Sequence, residues 1–351
     1  MLKIPDQSTT RARLLTLGVA GSGTAVAWVL GLPLPFLFGP LGACLIAAMI
    51  GVPLKRFGWV STAARTILGV AVGASLTPAL VGTIPQMAAS VALIPIYIAV
   101  IAMIGVPFFH RVCGFDRTTA WYAAMPGGLQ DMVIFGTEAG GDPRALSLIH
   151  ATRLLIVVSL APLILTFGMG ADLSGPIGPP ASNLPLWEIL LMVIAALVGW
   201  KGGERIGLFG ASILGPMIVT GILSLSGLIH SRPPSEGILF AQFMIGISIG
   251  VGYVGITLAE FRKDVLSGVA FVLVLAALAA ILTEVVVIFG LAPPIEGFLA
   301  FAPGGQAEMT VLAIVADVDL GFVVVHHLAR IFLVITCAPI AARMLIKSNK
   351  R

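Results

Sequence analysis

Apolar residues fall in long runs along the whole chain, separated by short polar stretches. In the first half the runs lie near 14–30, 35–51, 62–80, 87–109, 118–137 and 147–168. The second half gives a matching series near 187–200, 206–228, 236–257, 265–291, 296–315 and 321–343. Most approach the roughly 20 residues that carry a helix across a bilayer. The pattern predicts an all-α polytopic membrane protein. The fifth run of each half is the exception, because it holds a Pro-Gly-Gly sequence and an acid. A straight lipid-facing helix is not expected there. Irregular backbone at membrane depth survives only where protein or a water-filled cavity surrounds it.

The halves copy each other. Met125-Pro126-Gly127-Gly128-Leu129-Gln130-Asp131-Met132, followed by His150 and Arg153, recurs 177 residues later (302 − 125). The second copy reads Ala302-Pro303-Gly304-Gly305-Gln306-Ala307-Glu308-Met309, followed by His327 and Arg330. Phe38-Gly39-Pro40 matches Leu214-Gly215-Pro216, Ala64–Gly73 matches Ala241–Gly250, and Pro162 matches Pro339. The chain divides into a first membrane repeat, 1–168, a Gly/Pro-rich linker, 169–185, and a second membrane repeat, 186–351.

Charge placement orients the repeats, since cytoplasmic loops accumulate Lys and Arg. Suppose each fifth segment re-enters and leaves on one side, so each half crosses five times. With the N-terminus inside, the cytoplasmic side receives Lys3, Arg11, Arg13, Lys55, Arg56, Arg111, Arg117 and Arg144. It also receives Lys201, Arg205, Arg262, Lys263, Arg343, Lys347, Lys350 and Arg351, while the outside receives only Arg232. Six crossings per half would put Lys201/Arg205 and Arg262/Lys263 outside and weaken that asymmetry. The expectation is therefore about ten transmembrane helices plus two broken or re-entrant segments, arranged as two inverted repeats. Both termini are then cytoplasmic and the linker periplasmic. The run 14–30 follows basic residues, as in a signal peptide, but lacks a convincing cleavage site and reads as the first retained span.

Composition agrees. Of 351 residues, 58% are hydrophobic and 10% charged, against about 25% charged in soluble domains. The net charge of +4 is spread singly or in pairs, so there is no clustered basic face for nucleic acid. Cys44, Cys113 and Cys337 are widely separated, which gives neither a disulfide framework nor a thiolate metal site. No His-x-x-x-His or Glu-x-x-His spacing occurs. No metal, cofactor or catalytic residue is expected, and the chain is not read as an enzyme.

The candidate site residues follow from the repeated motif. Asp131 and Glu308 each stand three residues past a Gly-Gly pair, and an ionised acid in a bilayer normally faces a partner, water or a transported ion. Pro126, Gly127, Gly128, Pro303, Gly304 and Gly305 let the backbone break. A helix starting just beyond would aim its N–H groups at an anion. The structural alternative is that Gly-Gly permits close packing and the acid pairs with an Arg. His150 and Arg153, like His327 and Arg330, share one helix face at a spacing of three. Here the His either relays protons or holds the helix against the broken segment. Arg153 and Arg330 are expected to partner Asp131 and Glu308. Gln130 has Ala307 as its counterpart, and Arg65 has Gln242, so each could orient an asymmetric solute; Arg65 reads better as a snorkelling cation. Glu284, inside an apolar run with Pro107 as its counterpart, is a candidate proton carrier.

The series Ala302-Pro303-Gly304-Gly305-…-Glu308-Met309, Ala316-Asp317 and His326-His327-…-Arg330 resembles the AbrB-type bacterial membrane protein family, whose members carry a duplicated membrane domain. The resemblance covers nearly the whole chain. The first copy departs from it at Asp131 and at Leu148-Ile149. The resemblance implies an inner-membrane protein of about ten spans. Family members are variously described as regulators of gene expression, ammonia monooxygenases or transporters.

Taken with the repeats and membrane-embedded charges, the leading expectation is a secondary transporter or permease for a small solute, with its anionic character and proton coupling left open. Its partners would be that small molecule or ion and the lipid bilayer, with no nucleic acid; a homo-oligomer is left open. The alternative is a membrane-bound regulator that influences gene expression, though no soluble output domain stands out. A monooxygenase component is disfavoured by the sparse His.

Overall fold

The computed structural model of the chain describes residues 9–347, apart from 33, 77, 79–81, 83, 174–177 and 209. Of the cations assigned to the cytoplasmic side, Lys3, Lys350 and Arg351 lie outside the described residues, as do the side chains of Arg343 and Lys347. The described residues are helical, with no strand among them.

The first half contributes α1 (Thr9–Val29), α2 (Pro35–Met49), α3 (Gly58–Ala74), α4 (Pro85–Val112), α5 (Arg117–Ala124), α6 (Leu129–Glu138) and α7 (Pro143–Gly168). The second repeats that order with α8 (Leu186–Arg205), α9 (Ala211–Leu225), α10 (Ser235–Tyr253) and α11 (Leu258–Ile288). It ends with α12 (Pro294–Phe301), α13 (Gln306–Val315) and α14 (Leu320–Lys347). Seven helices among the described residues are long and apolar enough to cross a membrane: α1, α4, α7, α8, α10, α11 and α14. Helices α2 and α9 are apolar but have only 15 residues each. At 1.5 Å per residue that is about 22 Å, short of a bilayer core of about 30 Å. Large apolar side chains stand on the outer surface, including Val29 at 84% exposure and Phe167 at 82%, as a lipid-facing protein requires.

Each fifth run is two short helices. Pro126 and Pro303 cause the break. The residue before a proline is pushed out of the helical region. Met125 accordingly has ψ 131° and Ala302 ψ 138°, so α5 and α12 stop there. Helix α7 starts on Asp142, whose side chain accepts from the backbone N–H groups of Arg144 and Ala145, with Pro143 in the first turn. Helix α11 starts on a reciprocal cap between Thr257 and Glu260, which satisfies donors that a helix leaves orphaned. The turns that follow α6 and α13 use a left-handed residue at equivalent places, Gly140 (φ 91°) and Asp317 (φ 50°).

The compact units do not follow the repeat boundaries at 168 and 186. One unit takes 1–84, 171–256 and 310–321; the other takes 85–170, 257–309 and 322–351. Each repeat thus supplies helices to both units.

In the first unit, close crossings occur twice. A Cβ on Gly23 would overlap the Gly39 carbonyl, and one on Gly215 would overlap Gly199. So α1 crosses α2 at the position where α8 crosses α9. The packing is also exchanged between repeats. Gly69 and Gly73 of α3 lie against the Ile213 and Met217 carbonyls of α9, while Gly246 and Gly250 of α10 lie against Leu37 and Leu41 of α2. Such reciprocity is what a two-fold relation between like parts produces. Within this unit Gln242 is fully buried, and neither of its side-chain amide atoms has a hydrogen-bond partner. Its counterpart Arg65 is half-buried.

Candidate functional site

The site residues of the repeated motif, and Glu284, fall in the second unit, while Arg65 and Gln242 lie in the first. The second unit holds both breaks, with α5, α6, α12 and the first residues of α13 (306–309), and the parts of α7 and α14 that carry His-x-x-Arg.

A helix that stops leaves its last carbonyls without intrahelical donors. Here buried arginines supply them. Arg153 donates from Nη1 to the Met125 carbonyl at 3.2 Å and from Nη2 to Gly127 at 2.5 Å. Arg330 donates from Nη1 to Ala302 at 2.8 Å and from Nη2 to Gly304 at 2.6 Å. The pairs of acceptors are equivalent at the 177-residue offset. Both arginines are only 4% exposed, and a planar fork suits two adjacent acceptors where a lysine would not.

The histidines complete the brace. His150 Nε2 lies 3.1 Å from the Tyr122 carbonyl and His327 Nε2 lies 2.9 Å from Leu299, each in the last turns of the first half-helix. A carbonyl only accepts, so Nε2 carries the hydrogen in both rings. His327 Nδ1 is then an acceptor, and Arg330 Nη2 donates to it at 2.9 Å. His326 serves elsewhere: its Nε2 meets Ser90 Oγ at 3.0 Å. The adjacent histidines point to different faces, as their spacing predicts. For the paired His the scaffold reading has direct contacts behind it.

The glycines make room for the acids. A Cβ on Gly128 would overlap Asp131 Oδ2, and one on Gly305 would overlap Glu308 Oε2. Each carboxylate therefore folds back over the glycine at the start of its own helix, where the helix dipole favours negative charge. The preceding glycines do the same for sulfur: a Cβ on Gly127 would meet Met132 Cε at 2.7 Å, and one on Gly304 would meet Met309 Cε at 2.6 Å. The repeated Gly-Gly-x-x-acid-Met is one packing unit. Glu308 is 8% exposed and Asp131 is half-buried. The side chain of Gln130 lies outside the described residues.

The two breaks are near neighbours. Leu154, next to Arg153, approaches the Cβ position of Gly305 at 3.4 Å, and Arg153 is within electrostatic reach of Arg330 and Glu308. The bonds that the two arginines make here go to backbone carbonyls at the breaks. The carbonyl role of the arginines was not legible beforehand, and neither was Gln306, whose buried Nε2 has no partner. Its counterpart is Leu129, so matching the repeats passes over it. Glu284 lines an apolar cleft of about 540 Å³ together with residues of α7, α11 and α12 and with Ala302 and Pro303. No three His, Cys, Asp or Glu side chains gather as a metal site among the described residues.

Comparison with known proteins adds a family. Residues 36–346 match the family model described as "Transition state regulatory protein AbrB". The chain is 26% identical to "Putative regulator AbrB" of Escherichia coli (strain K12) over 324 residues, 90% of each chain. It is 24% identical to "Uncharacterized protein YhjN" of Bacillus subtilis (strain 168) over an alignment of 359, covering 94% of this chain and 92% of that one.

Proposed function

The chain belongs to the AbrB family, and from that premise we propose that it is a secondary transporter of a small anionic solute, coupled to protons. One observation carries the reading. Two helix breaks, each braced by a buried Arg fork and each with an acid folded over the new N-terminus, lie in one compact unit. Discontinuous helices at a repeat interface are a recurrent device for holding solutes and coupling ions.

The chemistry follows from the acid. An ionised Glu308 or Asp131 occupies the positive end of its own half-helix, where an anion would otherwise sit. Protonation removes that charge and frees the seat. Proton and anion then bind together, which is the requirement for symport. No step makes or breaks a covalent bond, and the chain acts as a carrier and not as an enzyme or a nucleic-acid binder.

The topology belongs to the same proposal. In this proposal the short helices α2, α3 and α9 cross where the bilayer thins around them, and with the seven longer ones they give ten crossings, while both broken segments re-enter. The repeats are inverted in a bacterial inner membrane, with both termini cytoplasmic and the linker periplasmic. The reciprocal α3–α9 and α10–α2 packing supports a two-fold relation between repeats. Cys44, Cys113 and Cys337 are free thiols, so a variant with all three replaced provides a clean background. In it, Ser182→Cys is expected to react with a membrane-impermeant maleimide from the periplasm and Arg262→Cys only from the cytoplasm. Reaction of position 182 from the cytoplasm alone would overturn the inverted arrangement.

A second reading, a membrane regulator of gene expression, draws on the printed name of the E. coli relative. Proteoliposome uptake over a panel of small organic and inorganic anions separates the two. Uptake of at least one anion, stimulated by an inward proton gradient, is the expected result. Failure of the whole panel in folded, correctly oriented protein favours the regulator.

A further inference from the structure

Glu284 has no part in either break, and the first repeat has Pro107 in its place. It is exposed and stands four residues before the end of α11. The space beside it follows from small residues. A Cβ on Gly268 would meet Thr152 Cβ at 3.1 Å, so α11 and α7 pack closely near the start of α11. Farther along, Ala276, Ala279 and Ala280 are too short to fill the space, and the apolar cleft lies there. Phe298 of α12 forms another wall. Ala276, Ala280 and Glu284 follow one another at a spacing of four, which places them on one face of α11. The acid therefore belongs to the face that lines the cleft.

The lining side chains are apolar apart from Thr283 and Glu284. Thr283 donates from Oγ1 to the Ala279 carbonyl at 2.8 Å, and Glu284 is the one charged residue of the lining. No described Lys, Arg or His forms an ion pair with it. A carboxylate so placed attracts cations and repels anions. A bare metal ion is a poor occupant, because calcium takes about six to eight oxygen ligands and the lining offers one carboxylate. A phospholipid fits no better, since its phosphate would stand beside Glu284 with no basic residue in the lining. An organic cation with a hydrocarbon body matches both the charge and the walls. The volume of about 540 Å³ lies within the roughly 300–1,000 Å³ of small-ligand sites.

We propose that this cleft is a binding site for an amphipathic organic cation, distinct from the anion seats at the two breaks. Its ammonium head lies against the Glu284 carboxylate, and its hydrocarbon tail lies between α7 and α11. The site goes beyond the transport reading and does not depend on it.

The test uses the full chain in nanodiscs of zwitterionic lipid, with n-alkyltrimethylammonium ions from butyl to decyl. Affinity should rise about fourfold per methylene, the equivalent of about 0.8 kcal/mol, until the cleft is filled. Alkanols of the same length should bind about fivefold more weakly, the upper range of an exposed ion pair, and alkanoates more weakly still. Glu284→Gln should weaken every ammonium ion by that same factor, keep the slope and remove the preference over alkanols. Ala280→Trp, which fills the cleft, should flatten the dependence on chain length; Ala276→Phe is a second variant with the same expectation, should the first fold poorly. Equal affinity for ammonium ions and alkanols in the wild type overturns the proposal. So does an ammonium preference that survives Glu284→Gln. A slope that survives both cleft-filling variants also overturns it, since it would report partitioning into lipid. The transport reading stands or falls on anion uptake, and neither result there bears on these titrations.

Discussion

Arg330→Met is expected to destabilise the protein strongly, with a loss of about 3–5 kcal/mol, the usual consequence of removing one side of a buried charged contact. The substitution keeps most of the apolar stem but leaves the Ala302 and Gly304 carbonyls and His327 Nδ1 without their donor. Arg153→Met removes the equivalent bonds to Met125 and Gly127 and should fall in the same range. Arg330→Lys keeps the charge but offers no fork, so it should lie between Met and wild type. Melting in detergent, with folded yield as a second readout, measures the series. A wild-type melting temperature in Arg330→Met would show that the arginine does not hold the break.

The second large effect is expected at Gly305. Gly305→Ala places a methyl group where Glu308 Oε2 lies. The carboxylate, which is the far end of the Glu308 side chain, must leave the start of α13. A side-chain end gives way readily, so the stability cost should lie toward the lower end of the range of about 1–3 kcal/mol for overpacking, and uptake should be lost beyond what stability explains. Gly128→Ala should do the same through Asp131. Gly304→Ala meets Met309 from Cγ to Cε and no acid, so it should lower stability while affecting uptake less. The double variant Gly305→Ala/Glu308→Ala removes the clash: stability should recover while uptake stays absent. Full uptake in Gly305→Ala would mean that the folded-back acid has no role.

Much of this was legible in the sequence because it is local and duplicated. Pro126 and Pro303 dictate where the helices stop, whatever surrounds them. The 177-residue offset pairs Arg153 with Arg330 and His150 with His327 before any geometry is known. What was not legible depends on tertiary placement. A backbone carbonyl has no residue-type signature, so nothing in the sequence points Arg153 at Met125 and Gly127. Gln306 was passed over because repeats draw attention to what matches, and it faces Leu129. The interleaving of the repeats into two units was hidden for a related reason. Apolar periodicity shows that α3 has a packing face but not that the face meets α9 of the other repeat. The cleft beside Ala302 and Pro303 arises from small residues on α11, which read in sequence as any other apolar run.

The most direct test of the central claim is uptake and melting measured together on Glu308→Gln and Asp131→Asn in proteoliposomes. Each substitution preserves size and removes the charge, and a neutral amide is easier to insert than an ion. If the acids couple protons to the solute, both variants fold and melt near wild type while proton-driven uptake is abolished. Variants that melt like wild type and still take up solute at the wild-type rate, or that lose uptake only in step with folded yield, would contradict it.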